Sequence, residues 1–510
     1  MSVGVSESRR GLGSFDLDAA DLLRLREVLA GHGFLGDAVR EAVGARIGPA
    51  HLRKDLPLYL RRLAAKTPLH TAIKLFGIGQ WVEEAAAAEA VAPIALDRLV
   101  AAGLLEAGPR GVRCRVDLGV HRDLLLAHDR FEPERGPELA PDHVLGSNNP
   151  ALLLDALTVR LPVAATLDLG CGGGVQSFLA ARHSERVFAV DKNPRALAFL
   201  RLNARLNGVA NVETLEGDLF APVAGRRFGL LVCNPPYVIS PDSRHVFMES
   251  GRPQDGMCEE VVRWAGEHLE DGGFATILCN WALRKDEEWS APLRRWAVGN
   301  GCDAWLLRGE LQDPLSYAAV WNRDRNPAAY EATLDRWLAY YRECGIEAVA
   351  MGAVILRRRA GGANWVRADV LSQDPDLSCH EHILRVFAAE DFLAATPDDR
   401  DLLGLPFRLV EAHHLRQSLR LRGGKWAIEK TQIQLEDGFG FEGVVDAGSL
   451  LLLQRCEGRT PIGQAVEELA RTMGADRERL LAAVAPTVRR LVAQGFLVPP
   501  EGRAAEPAES

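Results

Sequence analysis

A glycine-rich turn between two predicted strands limits the possible fold of this chain more than any other feature. Residues 165–169 are mostly apolar and stop at the glycine-rich residues 170–174. A helix-compatible segment follows at 175–182, and a second apolar segment follows at 186–190. Glycines let the backbone turn tightly and let a ligand approach the main chain. The order strand, glycine turn, helix, strand predicts an α/β domain with a parallel sheet.

Acidic side chains stand at the predicted ends of three successive strands. Asp191 follows the second strand and lies 21 positions after Gly170, a spacing typical of carboxylates that bind ribose hydroxyls. Asp168 precedes the glycine turn, and Asp218 follows Gly217 after the third strand. All three acids would therefore lie at the carboxyl edge of the sheet, where parallel sheets bind ligands.

The spacing of the glycines argues against a dinucleotide cofactor. Gly170, Gly172 and Gly174 follow the pattern G-x-G-x-G, and Val175 stands where the dinucleotide pattern requires its third glycine. A carboxylate at Asp168 suits a cationic ligand better than a pyrophosphate. A NAD-dependent enzyme is therefore a weak alternative.

The tetrad Asn234-Pro235-Pro236-Tyr237 follows the apolar strand predicted at 229–233. A planar amide or aniline-type NH2 is a poor nucleophile because its lone pair is delocalised. The Asn oxygen and a neighbouring backbone carbonyl can accept both N–H groups and hold that lone pair toward an electrophile. The prolines stiffen the loop, and the Tyr ring offers a stacking face. The alternative is an ordinary Asn-initiated turn before an aromatic core residue.

With the glycine turn, the spaced acids and this tetrad, the sequence resembles the class I S-adenosylmethionine-dependent methyltransferases of the N-P-P-Y group. This group includes the glutamine-amide methyltransferases of release factors and the adenine and guanine exocyclic-amine methyltransferases. The resemblance implies a Rossmann-like core of seven strands, S-adenosylmethionine as cofactor, and no metal.

The same resemblance assigns a role to each motif residue. Gly170, Gly172 and Gly174 would let the cofactor lie against the main chain, with Asp168 near its aminoacyl portion. Asp191 would bind the ribose hydroxyls, and Asp218, with Leu219 beside it, would bind the adenine. Asn234 would border the cofactor site and, with the Pro235 carbonyl, orient the acceptor nitrogen, while Pro236 and Tyr237 complete the catalytic loop and Tyr237 packs on the acceptor.

Length and composition set further bounds. A chain of 510 residues predicts about three domains. A net charge of -9 supplies no global field for nucleic acid, although a local basic patch would suffice. Nine scattered cysteines without zinc-like spacing, no apolar run of about 18 residues and no signal-peptide pattern favour a cytoplasmic protein without a membrane segment. The Ala-, Leu- and Arg-rich composition favours a bacterial source with a high-GC genome.

Residues 1–145 form the first predicted domain, which is mainly helical. A helix at 94–102, a stop at Gly103 and a strand at 112–116 resemble a winged helix. The helix at 94–102 carries few charges, so substrate selection or packing is favoured over reading a nucleic-acid groove.

Residues 146–360 form the predicted methyltransferase domain. The polar linker at 142–150 either lies over the cofactor or caps the next helix through Asn148 or Asn149. Strands at 303–307 and 348–357, with a helix at 330–344 between them, would complete the sheet. Trp281 either lines the site or belongs to the core, and Cys171 and Cys233 are expected to be small buried packing residues.

Residues 361–498 form the predicted C-terminal α+β domain, and residues 499–510 form a tail expected to be disordered. One local concentration of positive charge lies in this domain, and a solvated strand face is its simplest interpretation. Its members are Arg416, Arg420, Arg422, Lys425 and Lys430. The last segment, to residue 498, resembles winged-helix modules that bind leader peptides in peptide-modifying enzymes.

Three functions remain open on the sequence alone. The first is an N-methyltransferase for a protein or peptide amide of the glutamine type, which the acidic net charge favours. The second is a methyltransferase for an exocyclic amine of RNA or DNA, which the same tetrad and the winged-helix-like flanks allow. The third is a non-catalytic scaffold with a methyltransferase fold. The sequence leaves the acceptor and the oligomeric state open.

Overall fold

The computed structural model describes residues 15–44, 49–130, 139–242, 245–323, 327–359, 361, 363–371 and 378–500. The chain divides into two compact units. The first comprises residues 1–155 with 160–372, and the second comprises residues 156–159 with 373–510. The predicted domain boundaries at 145/146 and 360/361 stay predictions.

The first unit begins with short helices followed by two β-hairpins. Asp18 caps the first helix by accepting a hydrogen bond of 2.8 Å from the Asp21 amide. The helices are α1 (Ala19–Gly31), α2 (Ala38–Val43), α3 (Pro49–Arg62), α4 (Pro68–Ala72, continued by a π-helical turn at Ile73–Gly77), α5 (Glu84–Val91) and α6 (Leu96–Ala101). The hairpin strands are β1 (Leu105–Gly108), β2 (Gly111–Cys114), β3 (Val116–His121) and β4 (Leu124–Asp129). The second hairpin, β3–β4, was not predicted from the sequence.

A mixed sheet of eight strands forms the centre of the first unit. Its strands are β5 (Val163–Leu169), β6 (Ser184–Asp191), β7 (Val212–Glu216), β8 (Phe228–Cys233), β9 (Leu269–Leu283), β10 (Cys302–Gln312), β11 (Ala348–Arg358) and β12 (Val366–Val370). Their order is β12-β10-β11-β9-β8-β5-β6-β7. The strands from β9 to β7 are parallel, and β11 is antiparallel to both of its neighbours.

The prediction of seven strands is wrong by one strand. β12 follows the last predicted strand and pairs in parallel with β10, with Ala304 opposite Val366. This pairing covers an edge of β10 that would otherwise leave its backbone N–H and C=O groups unpaired.

The order of the strands places the ligand site. The chain runs from β5 outward through β6 to β7, then returns to β8 on the other side of β5. The connections on the two sides of β5 therefore diverge, which opens a crevice at the carboxyl ends of β5 and β8. The helices that accompany the sheet are α7 (Asn149–Leu157), α8 (Val175–Ala180), α9 (Pro194–Asn207), α10 (Gly256–Ala265), α11 (Ala291–Ala297), α12 (Pro314–Asn322) and α13 (Pro327–Cys344).

The second unit contains two three-stranded sheets and five helices in its described part. The strand order is β17-β13-β18 in one sheet and β14-β15-β16 in the other. The strands are β13 (Pro406–Leu409), β14 (His413–Arg422), β15 (Lys425–Leu435), β16 (Glu442–Val444), β17 (Glu457–Pro461) and β18 (Leu497–Val498). The helices are α14 (His380–Ala395), α15 (Asp399–Leu403), α16 (Ala447–Leu453), α17 (Ile462–Met473) and α18 (Arg477–Ala493).

Residues 501–510, most of the predicted disordered tail, lie outside the described residues. Among the helices that the structure describes, none combines the length and the apolar character needed to cross a bilayer.

Candidate active site

A cavity in the first unit lies at the carboxyl ends of β5, β6 and β8. Eight of the predicted site residues line it: Asp168, Gly170, Gly172, Asp191, Asp218, Leu219, Asn234 and Pro236. Three predicted residues, Gly174, Pro235 and Tyr237, are not among the residues that line it. The strand ends therefore bring together most of the residues chosen from the sequence.

Asp168 supplies a buried carboxyl group to the wall of the cavity. Its side chain is 2 % exposed, and the Ser177 hydroxyl donates a hydrogen bond of 2.5 Å to its Oδ2 atom. Burial raises the pKa of Asp168 to about 7, and the nearby Asp191 carboxylate also raises it. A cationic ligand would stabilise the charged form, so this carboxyl fits a ligand with an ammonium or sulfonium group.

Asp191 holds the glycine turn in place from the end of β6. Its Oδ2 accepts a hydrogen bond of 2.8 Å from the Gly172 amide, and its Oδ1 accepts one of 2.8 Å from the Asn193 amide. Burial raises the pKa of Asp191. A carboxylate has about four lone-pair positions, so Asp191 can still accept hydrogen bonds from a ligand hydroxyl.

The glycines of the turn have different surroundings. Gly170 and Gly172 have φ values of +75° and +52°, in the left-handed region. A Cβ atom at Gly172 would have no heavy atom within 4 Å, whereas one at Gly174 would lie 2.7 Å from the Phe178 ring and 2.8 Å from Leu200. Gly172 thus keeps the main chain open toward the cavity, and Gly174 is required for packing against α8 and α9.

The Asp218 side chain lies at the more exposed side of the cavity. Arg252 donates a hydrogen bond of 3.1 Å to its Oδ2 atom and also contacts Glu260. Leu219 beside it has a φ of +47°, which is unusual for a residue with a branched side chain. Arg252 was not assigned to the site from the sequence, because nothing local to it shows that it contacts Asp218.

The tetrad follows β8 directly, and its four side chains face different surroundings. Asn234 is half-buried and lines the cavity, and no protein group in the described part of the chain hydrogen-bonds to its amide. Pro236 also lines the cavity, whereas Pro235 is buried. Tyr237 packs against two buried clusters, and burial raises its pKa well above the usual value for tyrosine. The Asn234 amide is therefore a polar group of the tetrad that is free to bind a ligand in the cavity.

Residues 147–295 match the family described as "Methyltransferase small domain". The release factor glutamine methyltransferases of Geobacter sulfurreducens and of Escherichia coli strain K12 are 33% and 32% identical to this chain, over 153 and 148 residues. The ribosomal protein uL3 glutamine methyltransferase of Bradyrhizobium diazoefficiens is 34% identical over 151 residues. The resemblance to the N-P-P-Y group is confirmed for this segment. Residues 147–295 are therefore similar to a methyltransferase domain.

These matches cover 27%, 25% and 27% of this chain, in the same order. They cover 54%, 52% and 46% of the relatives, so the chain spans about half the length of the curated relatives that it matches. The flanking segments 31–115 and 384–499 match two families, each described as a "Domain of unknown function" (DUF7059 and DUF7782).

The loop that follows the tetrad is held by a helical insertion between β10 and β11 of the sheet. The Tyr341 hydroxyl on α13 donates a hydrogen bond of 2.8 Å to the Ile239 carbonyl. The Tyr317 hydroxyl on α12 accepts hydrogen bonds of 3.2 Å from the Ile239 amide and 2.8 Å from the Asn280 side chain. Two buried tyrosines therefore satisfy both backbone groups of Ile239. No sequence motif predicts these contacts.

The linker before the methyltransferase domain lies along the cavity. His143, Val144, Leu145, Gly146 and Asn148 line the cavity. Asn148 also caps α7, because its side-chain oxygen accepts a hydrogen bond of 3.1 Å from the Ala151 amide. The helix cap that the sequence allowed for Asn148 is therefore present, and the placement of this linker over the cofactor stays a prediction.

Buried polar contacts fix this linker from outside the methyltransferase domain. The His121 ring lies 2.6 Å from the Ser147 hydroxyl, and its other nitrogen lies 3.2 Å from the buried Asp155 carboxylate. The Val144 amide donates to the Asp129 carboxylate at 2.9 Å. Burial lowers the pKa of His143 to about 4, so its ring is neutral near pH 7.

Three further sequence expectations concern core residues near the cavity. Trp281 is fully buried, and its indole N–H donates a hydrogen bond of 2.8 Å to the Trp289 carbonyl, so it belongs to the core. Cys171 and Cys233 are both buried, and burial raises the pKa of both thiols. Cys171 also lines the cavity.

Proposed function

We propose that the protein is an S-adenosylmethionine-dependent N-methyltransferase whose acceptor is a glutamine-type side-chain amide in a protein. The observation that carries this proposal is the unpaired, half-buried amide of Asn234 at the edge of a cavity that also contains Asp168 and Asp191. The matched relatives are named for glutamine methylation of a release factor or of a ribosomal protein, which favours a protein acceptor.

The groups around the cavity fit this cofactor. Asp168 would pair with its ammonium group, because the buried carboxyl gains stability as an anion beside a cation. Asp191 would accept hydrogen bonds from the ribose hydroxyls, and the open backbone at Gly172 would allow close approach. Asp218 and Leu219 would contact the adenine at the more exposed side of the cavity.

The residues of the tetrad would orient the acceptor. The bound cofactor supplies an electrophilic methyl group on a sulfonium. The Asn234 oxygen and the Pro235 carbonyl would accept the two N–H groups of the acceptor amide, so that the nitrogen lone pair points toward this methyl. The nitrogen gains positive charge only as the N–C bond forms, so a strong general base is not needed for attack.

The flanking segments complete the proposal. Residues 1–145 and 361–498 would act as substrate-selecting domains on either side of a methyltransferase domain at 146–360. Helices α17 and α18 with the sheet β17-β13-β18 support a winged-helix-like end of the C-terminal domain. A cytoplasmic location would fit acceptors that are translation proteins.

Transfer of a tritiated methyl group tests the proposal. Purified chain is incubated with labelled cofactor and with separated protein and RNA fractions from its own cells. We expect label in protein, on a glutamine that mass spectrometry locates. Label in RNA alone would favour the exocyclic-amine alternative, and no label in either fraction would favour a scaffold.

A further inference from the structure

The hairpin formed by β14 and β15 extends an apolar face into solvent. Near its root, Leu415 pairs with Ile433, which is 1 % exposed and belongs to the core of the second unit. Toward its tip, Leu419 pairs with Ile428, and Leu421 pairs with Trp426. These four side chains are 53 to 68 % exposed. The face that packs on the core at the root therefore continues beyond the core without a partner.

The two faces of the hairpin differ in chemistry. Side chains alternate between the faces of a strand, so Leu415, Leu419 and Leu421 lie on one face of β14. The opposite face carries Arg416, Arg420 and Arg422, and the paired positions on β15 add Lys425 and Lys430. The hairpin therefore presents an apolar face backed by a basic face.

The backbone of the tip is well defined. Gly423 and Gly424 have φ values of +54° and +76°, so both central residues of the two-residue turn lie in the left-handed region. Such turns match the twist of a hairpin and favour regular strand pairing to the end. Beyond a bulge between Ser418 and Leu419, the large apolar groups of this tip thus lie on two paired strands.

The charge of the hairpin is opposite to that of the chain. Residues 413–435 contain five basic residues and one acidic residue, whereas the whole chain has a net charge of -9. Glu429 pairs with Arg420 at 3.0 Å. Among the described residues, no side chain forms an ion pair with Arg416, Lys425 or Lys430. These free cations favour a partner with carboxylates around its apolar surface.

A second copy of the chain is a poor occupant for this face. A stable interface takes roughly 20–30 residues from each partner, far more than the large apolar side chains at this tip. Pairing of two β14 edges would also bring together the arginines of both copies, and like charges on paired strands are destabilising. The small area favours a transient partner.

A protein also fits this face better than RNA does. RNA would meet the basic face and could stack on Trp426, but it would leave Leu419, Leu421 and Ile428 uncovered. Contiguous exposed apolar groups with a tryptophan and arginines are typical of protein interaction sites.

We infer that the apolar face of the β14–β15 hairpin is a docking site for the methyl-acceptor protein, which presents an apolar patch bordered by carboxylates. This inference rests on the proposed function, because it names the acceptor as the partner. Docking at a small face, separate from the residues that orient the amide, would select whole proteins while permitting rapid release after each transfer.

Binding and turnover are measured separately to test this inference. The full chain without cofactor is titrated by calorimetry with purified release factor and, separately, with purified ribosomal protein uL3. Both proteins are taken from the organism that encodes this chain. The test variant is Leu421→Ser with Trp426→Ser, and the control is Val444→Ser. Val444 is 61 % exposed and pairs with Gln432, so it lies on the opposite face of the same sheet.

We expect wild type to bind at least one of the two proteins. The double variant should weaken that binding by about tenfold or more, as loss of interface hot spots does, and the control should change it less than about twofold. With the same acceptor, the KM should rise in the double variant while kcat stays constant. Arg416→Gln with Lys430→Gln should reduce the dependence of binding on salt.

Two results would overturn the docking site. One is equal affinity and equal KM for wild type and the double variant, and the other is failure of wild type to bind either protein. A third result would separate the two proposals. If the double variant binds more weakly than wild type but wild type transfers no methyl group, the docking site is retained and the proposed function is refuted. A protein partner would also be contradicted if RNA bound to the hairpin and if the same double substitution weakened that RNA binding.

Discussion

The Tyr341 hydroxyl donates a hydrogen bond of 2.8 Å to the carbonyl of Ile239, two residues beyond the N-P-P-Y tetrad. Both residues are buried, so water does not replace this bond when it is lost. The contact ties the loop that follows the tetrad to α13, an element that does not line the cavity. The position of the loop that follows the tetrad thus depends on the insertion between β10 and β11.

Tyr341→Phe should therefore reduce turnover of the acceptor more than binding of the cofactor. It leaves a buried carbonyl without a donor, which costs about 1–3 kcal/mol. We expect a lower melting temperature and a reduced kcat/KM for the acceptor, with unchanged calorimetric affinity for S-adenosylmethionine. Tyr340→Phe is the control, since Tyr340 is half-buried and its hydroxyl accepts a long hydrogen bond of 3.3 Å from the Gln254 amide. Equal effects of the two changes would contradict this role.

Asn234→Ala should abolish methyl transfer and retain cofactor binding. The side chain forms no hydrogen bond within the described protein, so its loss leaves no buried group unpaired. We expect a melting temperature close to wild type and a cofactor affinity within about threefold, while transfer falls by at least about a hundredfold because the acceptor is no longer oriented. Near-normal transfer by this variant would refute the assigned role of the amide.

Asp191→Ala should weaken cofactor binding. The change removes the hydrogen bonds that the Asp191 carboxylate would accept from the cofactor. Hydrogen bonds to a charged group are worth roughly 1.5–3 kcal/mol, or about 10- to 150-fold in affinity. The change also frees the Gly172 and Asn193 amides, so part of the loss would come from the turn. Asp191→Asn keeps one amide oxygen and should lose less. If calorimetry finds that both variants bind like wild type, Asp191 does not contact the cofactor.

Cofactor affinity should depend on pH through Asp168. Its pKa is raised to about 7 by burial, so below pH 7 the carboxyl is mostly protonated and pairs weakly with a cation. We expect the Kd for S-adenosylmethionine to fall as pH rises from 5.5 toward about 7. Without ligand, the same raised pKa means that this carboxyl contributes less to folding stability as pH rises from about 4 to about 7.

Two variants test whether Asp168 causes this pH dependence. Ser177→Ala removes the hydrogen bond to the Asp168 carboxylate and should move the transition to higher pH. Asp168→Asn should bind weakly and with little pH dependence in the same range. A full pH transition that persists in Asp168→Asn would assign the titration to another group.

Substitutions at two glycines should distinguish an effect on cofactor affinity from an effect on folding stability. Gly172→Ala places a methyl group at an open position of the turn, so we expect a large loss of cofactor affinity and a modest loss of stability. Gly174→Ala places a methyl group against Phe178 and Leu200, so we expect mainly a lower melting temperature. Thermal melts with and without cofactor would distinguish these outcomes, and the reverse pattern would contradict the assigned surroundings.

The cavity could be predicted from the sequence because its residues follow local strand ends. Asp168, Asp191 and Asn234 each stand at or directly after a strand, and parallel pairing brings such positions together. The tyrosines that hold Ile239 could not be predicted in this way. Tyr317 and Tyr341 lie 78 and 102 residues from Ile239, and only the packing of α12 and α13 brings them there.

The pairing of the β14–β15 hairpin also could not be predicted from the sequence. The basic residues at 416–430 were recognised from composition, but the apolar face was not, because a bulge between Ser418 and Leu419 changes which residues pair. β12 was missed because it has only five residues and because Arg367 and Asp369 interrupt its apolar residues. Pairing with β10 decides that these residues form a strand.

Calorimetric titration of the full chain with S-adenosylmethionine, with NAD as the comparison, tests the central claim most directly. The proposed site predicts saturable binding of S-adenosylmethionine, weakened by Asp168→Asn and Asp191→Ala, and no binding of NAD. Binding of NAD, or S-adenosylmethionine affinity that is the same in wild type and in both variants, would contradict it.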